Sequence, residues 1–171
     1  TWQDLHEKTL AATSVNDFTG FQAAMGELQH RGYDPGRFFA DIDMFGNTSK
    51  TAQEAVVDKV ISGRADAGIV RTCFLEDLAK LRKTELPVRV IEPYADPKFA
   101  CQRSTALYPN WTISSVPTLT AEEPRRVMEL LFAMPPTSNG MFWSVAPSFS
   151  ATDNLMKELR IGPYEFLRHW S

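Results

Sequence analysis

The chain has 171 residues, of which 43% are hydrophobic and 23% charged, and its net charge is −3. These values are ordinary for a globular protein, and this length fits one domain or two small lobes. The weak negative charge gives no reason to expect nucleic acid or an anionic membrane surface as a partner. Any anion that the protein binds must therefore be attracted by local donors.

The first half of the chain alternates short apolar runs with segments whose apolar residues recur every three or four positions. The first pattern is typical of buried strands and the second of amphipathic helices. Strands that alternate with helices indicate an α/β fold with a parallel sheet covered by helices. We predict strands at 9–13, 42–45, 65–70 and 88–91, and helices at 21–28, 52–61 and 75–81.

Capping residues and glycines set the predicted ends of these helices. Thr51 and Glu54 have the spacing of a capping box, and Thr72 is in position to cap the third helix. Gly32 and Gly63 follow the first two helical patterns and are expected to end them.

The second half of the chain has a less regular pattern. Residues 99–105 are predicted as a strand that crosses back to another lobe, and residues 109–111 as a turn. Residues 120–131 and 150–159 are predicted helices, and each begins with a Thr or Ser three residues before an acidic side chain.

The common cofactor and hydrolase motifs are absent from the sequence. There is no Gly-x-Gly-x-x-Gly, no Gly-Lys-Ser/Thr phosphate loop, no Gly-x-Ser-x-Gly and no His-Glu-x-x-His. The three histidines and two cysteines do not have the spacing of a structural zinc site. We therefore expect neither a cofactor nor a metal.

Polar residues that follow the predicted strands are candidates for anion binding. The helix starts near Phe18-Thr19-Gly20, near Thr48-Ser49 and at Thr72 offer backbone N–H groups and the positive end of a helix dipole. Arg71 and Arg103 would add bidentate donors for an oxyanion. The structural alternative is that the hydroxyls only cap helices and that the arginines pair with surface carboxylates.

Cys73 lies two residues after Arg71 and has three interpretations. A free thiol at a helix N-terminus would be a nucleophile. The residue is otherwise bonded to Cys101 or is an inert buried thiol. The residues alone leave these alternatives open.

Several segments together resemble the extracytoplasmic phosphonate-binding type of periplasmic binding domain, in the version that serves as the sensor of tetrathionate-response-like histidine kinases. The similarity extends over nearly the whole chain. The resemblance implies a type II periplasmic-binding-protein fold, in which two lobes with parallel-rich sheets close on a small ligand, usually an oxyanion. The segments that carry it are Trp2–Leu5, Lys8–Thr13, Gly63–Thr72, Leu75-Glu76, Ser104–Trp111, Trp143–Val145 and Leu159–Tyr164.

The same resemblance implies a domain organisation. Residues 1–171 would form a single ligand-binding region that lacks the first part of lobe 1. About residues 8–82 would be the second lobe, with the order βαβαβα. About residues 83–171 would return to the first lobe and end in helices that lead to a membrane segment outside the chain. A periplasmic location, membrane tethering and a homodimer are further expectations.

The resemblance also implies a site and a function. Given a periplasmic setting, Cys73 and Cys101 are expected to form a disulfide that staples the lobes near the hinge. The expected function is that of a non-catalytic sensor domain of a two-component histidine kinase, which recognises a phosphonate-like anion or a sulfur oxyanion. Alternatives are a substrate-binding protein of an ABC transporter for phosphonate-like solutes, an enzyme that uses Cys73, and a domain that only dimerises. The ligand-binding candidates are Thr19, Thr48, Ser49, Arg71, Thr72, Arg103 and Ser104.

Overall fold

The computed structural model divides the chain into two compact units. Unit 1 consists of residues 1–107 and 155–171, and unit 2 consists of residues 108–154. The assignment of two lobes to about 8–82 and 83–171 stays a prediction. The structure describes residues 1–97, 99–109, 112–136, 142–145 and 148–170, without the side chains of residues 169 and 170, so the predicted turn at 109–111 lies partly outside the described residues.

Unit 1 contains the βαβαβα order that the sequence predicts. A single π-helical turn, Phe18–Gln22, leads directly into the first helix. The strands and helices are β1 (Thr9–Ala12), α1 (Ala23–His30), β2 (Asp41–Met44), α2 (Lys50–Ile61), β3 (Ala67–Gly68) and α3 (Phe74–Arg82). Short 3₁₀ segments span Gln3–Leu5 and Gly162–Trp170.

The three strands form one parallel sheet in the order β2-β1-β3. Leu10 of the central strand is paired with Ile42 on one side and with Ala67 on the other. This confirms a mixed α/β fold with a small parallel sheet. Because parallel strands end at the same sheet edge, the residues after Ala12, Met44 and Gly68 lie at that edge.

The two faces of the sheet are covered by different helices. Leu10 and Ala67 belong to a buried cluster with Met25 and Leu28 of α1, whereas Ala11 packs with Val56 and Ala65. This alternation follows from the two-residue period of a strand. The core of unit 1 therefore consists of two apolar layers, one on each side of β1.

Gly68 of β3 allows α2 to approach the sheet closely. A Cβ atom at this position would lie 2.7 Å from Cγ1 of Val56 and 3.0 Å from Cγ2 of Val60. Only glycine leaves space for these two valines at their present distance.

Two predicted strands and part of a third are not strands in the structure. Residues 88–91 and 99–105 form no ladder, and β3 is two residues long where residues 65–70 were predicted. Ile91 is nevertheless packed against the core cluster of Leu10 and Met25. Val88, Val90 and Ile91 are half-buried and Arg89 is exposed, so the apolar pattern reflects partial burial, which an unpaired segment can also achieve.

The helix caps differ from the predicted ones. Oγ of Ser49 accepts a hydrogen bond of 3.1 Å from the backbone N–H of Ala52, so Ser49 caps α2 in place of Thr51. Cys73 precedes α3 with a left-handed φ of 68°, in place of Thr72. Gly63 ends α2 with a φ of 70°, as expected.

Two further helices follow, α4 (Glu122–Ala133) and α5 (Ser150–Leu159). At the start of α4, the Glu123 carboxylate accepts hydrogen bonds from the backbone N–H and the hydroxyl of Thr120. The bond from the Thr120 backbone N–H is one half of the predicted capping box. None of the helices in the described ranges has the length and apolar composition needed to cross a bilayer.

Candidate functional site

The carboxyl ends of β1 and β3 lead into a cavity of about 160 Å³ inside unit 1. Its wall combines the start of α1, the chain that follows β3, and the segments 89–91 and 102–105. The structure brings five of the seven predicted ligand-binding residues to this one cavity: Thr19, Arg71, Thr72, Arg103 and Ser104.

Thr48 and Ser49 do not line the cavity. They follow β2, which is separated from β3 by the central strand. The Asn47 side-chain oxygen accepts hydrogen bonds from the backbone N–H and the hydroxyl of Ser49, and Ser49 in turn caps α2. Ser49 therefore caps a helix, which is the structural alternative to anion binding that the sequence left open.

Two residues of the cavity wall carry a buried donor that has no hydrogen-bond partner among the described residues. These donors are Nε1 of Trp2 and Nε of Arg103. Trp2 is 6% exposed, and the Arg103 side chain is 10% exposed. A buried donor without a partner costs about 1–3 kcal/mol, so both N–H groups favour a ligand with acceptor oxygens. The sequence did not single out Trp2 as a binding residue, because no sequence pattern reveals an unpaired indole N–H.

The other two nitrogens of the Arg103 guanidinium each donate a hydrogen bond within residues 96–105. Nη1 donates to the carbonyl oxygen of Thr105 at 2.7 Å, and Nη2 donates to Asp96 at 3.2 Å. The guanidinium carbon lies 4.6 Å from the centroid of the Tyr94 ring. These contacts fix the guanidinium plane and leave Nε as the Arg103 nitrogen without a hydrogen-bond partner among the described residues.

Arg71 is held at the rim of the cavity. Its backbone N–H donates to the buried Gln53 side chain at 3.1 Å, and its guanidinium lies 3.4 Å from Asp77. The Arg71 side chain is about half exposed. It can therefore meet an anion from the solvent side without leaving its backbone anchor.

A disulfide joins Cys73 to Cys101, with a Cα–Cα distance of 5.1 Å. Next to it, the backbone N–H of Gln102 donates to a carboxylate oxygen of Glu76 in α3 at 2.9 Å. Both cysteines lie in unit 1, so the bond does not join the two units. It ties the segment that carries Arg103 to the start of α3. Neither cysteine is a free thiol.

The start of α1 was predicted to offer free N–H groups, but Asp17 already occupies them. Oδ1 of Asp17 accepts hydrogen bonds from the backbone N–H groups of Thr19 (3.1 Å) and Gly20 (3.0 Å). Oδ2 accepts a hydrogen bond of 2.7 Å from the hydroxyl of the buried Thr13. An internal carboxylate thus takes the place of an external anion at this helix start.

Trp2 is fixed in the wall by an ionic network. Glu92 accepts hydrogen bonds from the backbone N–H of Trp2 at 2.9 Å and from Arg31 at 2.7 Å. These two contacts, the first more strongly, lower the pKa of Glu92. Arg31 also pairs with Glu27 and lies 5.3 Å from the centroid of the Trp2 ring.

The remaining wall of the cavity is largely apolar. Leu10, Ala24, Met25, Val70 and Ile91 all contribute to it. In the parts of the chain that the structure describes, no group of three or more His, Cys, Asp or Glu side chains is arranged to hold a metal ion. The arrangement suits a small molecule that combines oxygen acceptors with an apolar part.

Comparison with known proteins agrees with the fold. The chain is 26% identical over 168 residues to the tetrathionate sensor histidine kinase of Salmonella typhimurium. That alignment covers 96% of the chain but only 27% of the kinase. The sequence model of the family described as "ABC transporter, phosphonate, periplasmic substrate-binding protein" matches residues 1–164. The chain therefore belongs to this family of phosphonate-binding-type periplasmic domains.

Proposed function

We propose that the chain is the extracytoplasmic ligand-binding part of a sensor histidine kinase and that it binds a small oxyanion in the cavity of unit 1. The observation that carries this proposal is the pair of buried, unpartnered donors, Nε1 of Trp2 and Nε of Arg103, in one cavity wall. The family supports a ligand-binding role, and the similar Salmonella protein is a sensor kinase.

Ligand binding would satisfy the unpaired donors of Trp2 and Arg103. Oxygen atoms of the ligand would accept hydrogen bonds from Trp2 and Arg103, while Arg71 and the hydroxyl of Thr72 would contact it from the rim. Binding energy is then available only in the conformation that presents all these groups together. A ligand shifts a signalling equilibrium by this difference in affinity between the two conformations.

A substrate-binding protein of an ABC transporter is the second candidate, and the description of the matching family favours it. The two functions use the same cavity and differ in what the domain is attached to. A gene that encodes a kinase domain in the same polypeptide supports the sensor, whereas a lipid-anchored or free protein beside transporter genes supports the receptor.

An enzyme that uses Cys73 as its nucleophile is the third candidate. The Cys73 sulfur is bonded to Cys101, and a disulfide sulfur is not a thiolate nucleophile. Treatment of the unreduced protein with iodoacetamide tests this alternative. Alkylation of Cys73 without reductant would favour the enzyme over the binding domain.

Calorimetric titration tests the proposal, with a panel of ethanesulfonate, ethylphosphonate, sulfate and acetate as ligands. We expect at least one of these anions to bind and the Trp2→Phe variant to bind it about tenfold more weakly, because the variant keeps the ring and loses the N–H. Trp143→Phe, in unit 2, is the matched control and should bind as the parent does.

A second pair of variants tests the proposal independently, in case Trp2→Phe does not fold. Arg103→Lys keeps a positive charge and removes Nε–H, so it should also weaken binding. Arg125→Lys is its control, since Arg125 pairs with Glu122 and Glu129 on the surface of α4. Equal affinities in all four variants, or no binding of any anion by the parent protein, would refute the proposed function.

A further inference from the structure

The cavity contains positively charged groups, but carboxylates already accompany them. Arg71, Arg89 and Arg103 line the wall together with Glu76. Arg71 lies 3.4 Å from Asp77, which does not line the cavity itself. Arg103 donates to Asp96, as described above. Glu76 in the wall and Asp77 and Asp96 beside it thus equal the three arginines in number, which leaves no surplus of positive charge for a doubly charged ligand that loses its water.

The helix start beside the cavity also has a carboxylate next to its positive end. Thr19 lines the cavity, and the Asp17 carboxylate accepts hydrogen bonds from its N–H and its hydroxyl. Gly20 is required for this arrangement, because a Cβ atom there would collide with Thr13 and with the Asp17 carboxylate. A second negative charge brought to this end of the cavity would meet Asp17 instead of free N–H groups.

Among the described residues of the wall, the buried donors without a partner are few and are suited to a weakly hydrated group. One is the neutral indole N–H of Trp2, and the other is a single N–H of Arg103. Apolar side chains such as Met25, Val70 and Ile91 cover much of the rest. A volume of about 160 Å³ is small beside the roughly 300–1,000 Å³ of pockets for drug-sized ligands.

From this balance we infer that the cavity selects a singly charged oxyanion with a small apolar substituent, of the alkanesulfonate type, over a doubly charged anion of the same shape. The inference rests on the proposed function, since it names the ligand class of the same site. Asp17 is the residue that sets the charge preference. It acts on the ligand through the helix start and through Thr19.

An isosteric pair of ligands tests the inference. Ethanesulfonate and ethylphosphonate have the same shape, and at about pH 8.5 the phosphonate is mostly doubly charged while the sulfonate has one charge. Calorimetry should show that the sulfonate binds at least about tenfold more tightly to the longest natural form of the protein that contains this chain.

The Asp17→Asn variant should reduce this preference to less than about threefold, since the amide oxygen can still accept from Thr19 and Gly20 but has no charge. Asp34→Asn is the control, because Asp34 accepts a backbone hydrogen bond from Gly36 in a surface turn and does not line the cavity. It should leave the preference unchanged.

The outcomes separate this inference from the proposed function. Tighter binding of ethylphosphonate than of ethanesulfonate by the parent protein overturns the charge preference and leaves anion binding intact. An unchanged preference in a folded Asp17→Asn variant overturns the role of Asp17. Absence of binding for every anion overturns the proposed function itself. If Asp17→Asn does not fold, the comparison of the two ligands on the parent protein still decides the charge preference.

Discussion

Cys101 is bonded to Cys73 at the start of α3 and lies two residues before Arg103, whose Nε has no hydrogen-bond partner in the part of the chain that the structure describes. The segment 99–105 forms no helix or strand, so it depends on a few contacts for its position. Besides the disulfide, these include the hydrogen bond from Gln102 to Glu76. The disulfide thus anchors the segment of an arginine that we propose to bind the ligand and that no helix or strand positions.

The double variant Cys73→Ser/Cys101→Ser should bind ethanesulfonate more weakly than the parent, because Arg103 would lose its covalent anchor. Its free energy of unfolding should also fall by about 2–4 kcal/mol, the usual effect of a native disulfide. Urea unfolding and calorimetry measure the two effects. Thiol titration of the unfolded, unreduced parent protein should find no free thiol, and two thiols would contradict the pairing.

Gly20→Ala should destabilise unit 1 by about 1–3 kcal/mol, because the new methyl group must displace Thr13 or the Asp17 carboxylate. Gly36→Ala is the matched control, since the nearest atom to its Cβ, Oδ1 of Asp34, lies at 3.4 Å. Urea denaturation of both variants compares the two sites. Equal stability of the two variants would show that Asp17 does not pack against Gly20 in this way.

Thr72→Ala should lower the affinity for ethanesulfonate several-fold, about 0.5–1.5 kcal/mol for one lost hydrogen bond, whereas Thr48→Ala should leave it unchanged. Thr72 lines the cavity and Thr48 does not, although both follow a strand at the same sheet edge. Calorimetric titration of both variants distinguishes them. A larger loss in Thr48→Ala would place the site beside β2.

The free energy of unfolding should depend on pH in the acid range, and Glu92 should contribute to this dependence. Its folded-state pKa lies below its ordinary value, so its contribution to stability is present above about pH 4.5 and is lost as the pH falls through the folded-state pKa. Glu92→Gln should therefore reduce the loss of stability between neutral and acidic pH. Urea denaturation at several pH values measures this loss, with Glu165→Gln as an exposed control. Parallel profiles of the parent and Glu92→Gln would contradict the account.

The sequence was a good guide to the elements of unit 1 and to the sheet edge at which polar residues gather. Hydrophobic periodicity located α1, α2 and α3, since a helix that covers a sheet must be apolar on one face. It failed at residues 88–91, where Val88, Val90 and Ile91 are half-buried without a strand partner. Burial is visible in a sequence as a pattern of apolar residues, but strand pairing depends on which segments lie next to each other in the fold.

The candidate site was predictable only in part. Arg71 and Thr72 follow a strand and could be found from that position, whereas the separation of Ser49 from the cavity depends on the strand order β2-β1-β3. The occupation of the helix start by Asp17 and the unpaired indole N–H of Trp2 depend on side-chain directions. No spacing rule for a single sequence contains that information.

The most direct test of the central claim is the ¹⁵N–¹H signal of the Trp2 indole during a titration with ethanesulfonate, assigned with the Trp2→Phe variant. The account predicts a saturable shift of this signal with the calorimetric affinity, because Nε1–H would donate to a ligand oxygen. The indole signal of Trp143 should not move. A Trp2 signal that stays in place while ethanesulfonate binds would contradict the claim that this cavity is the binding site.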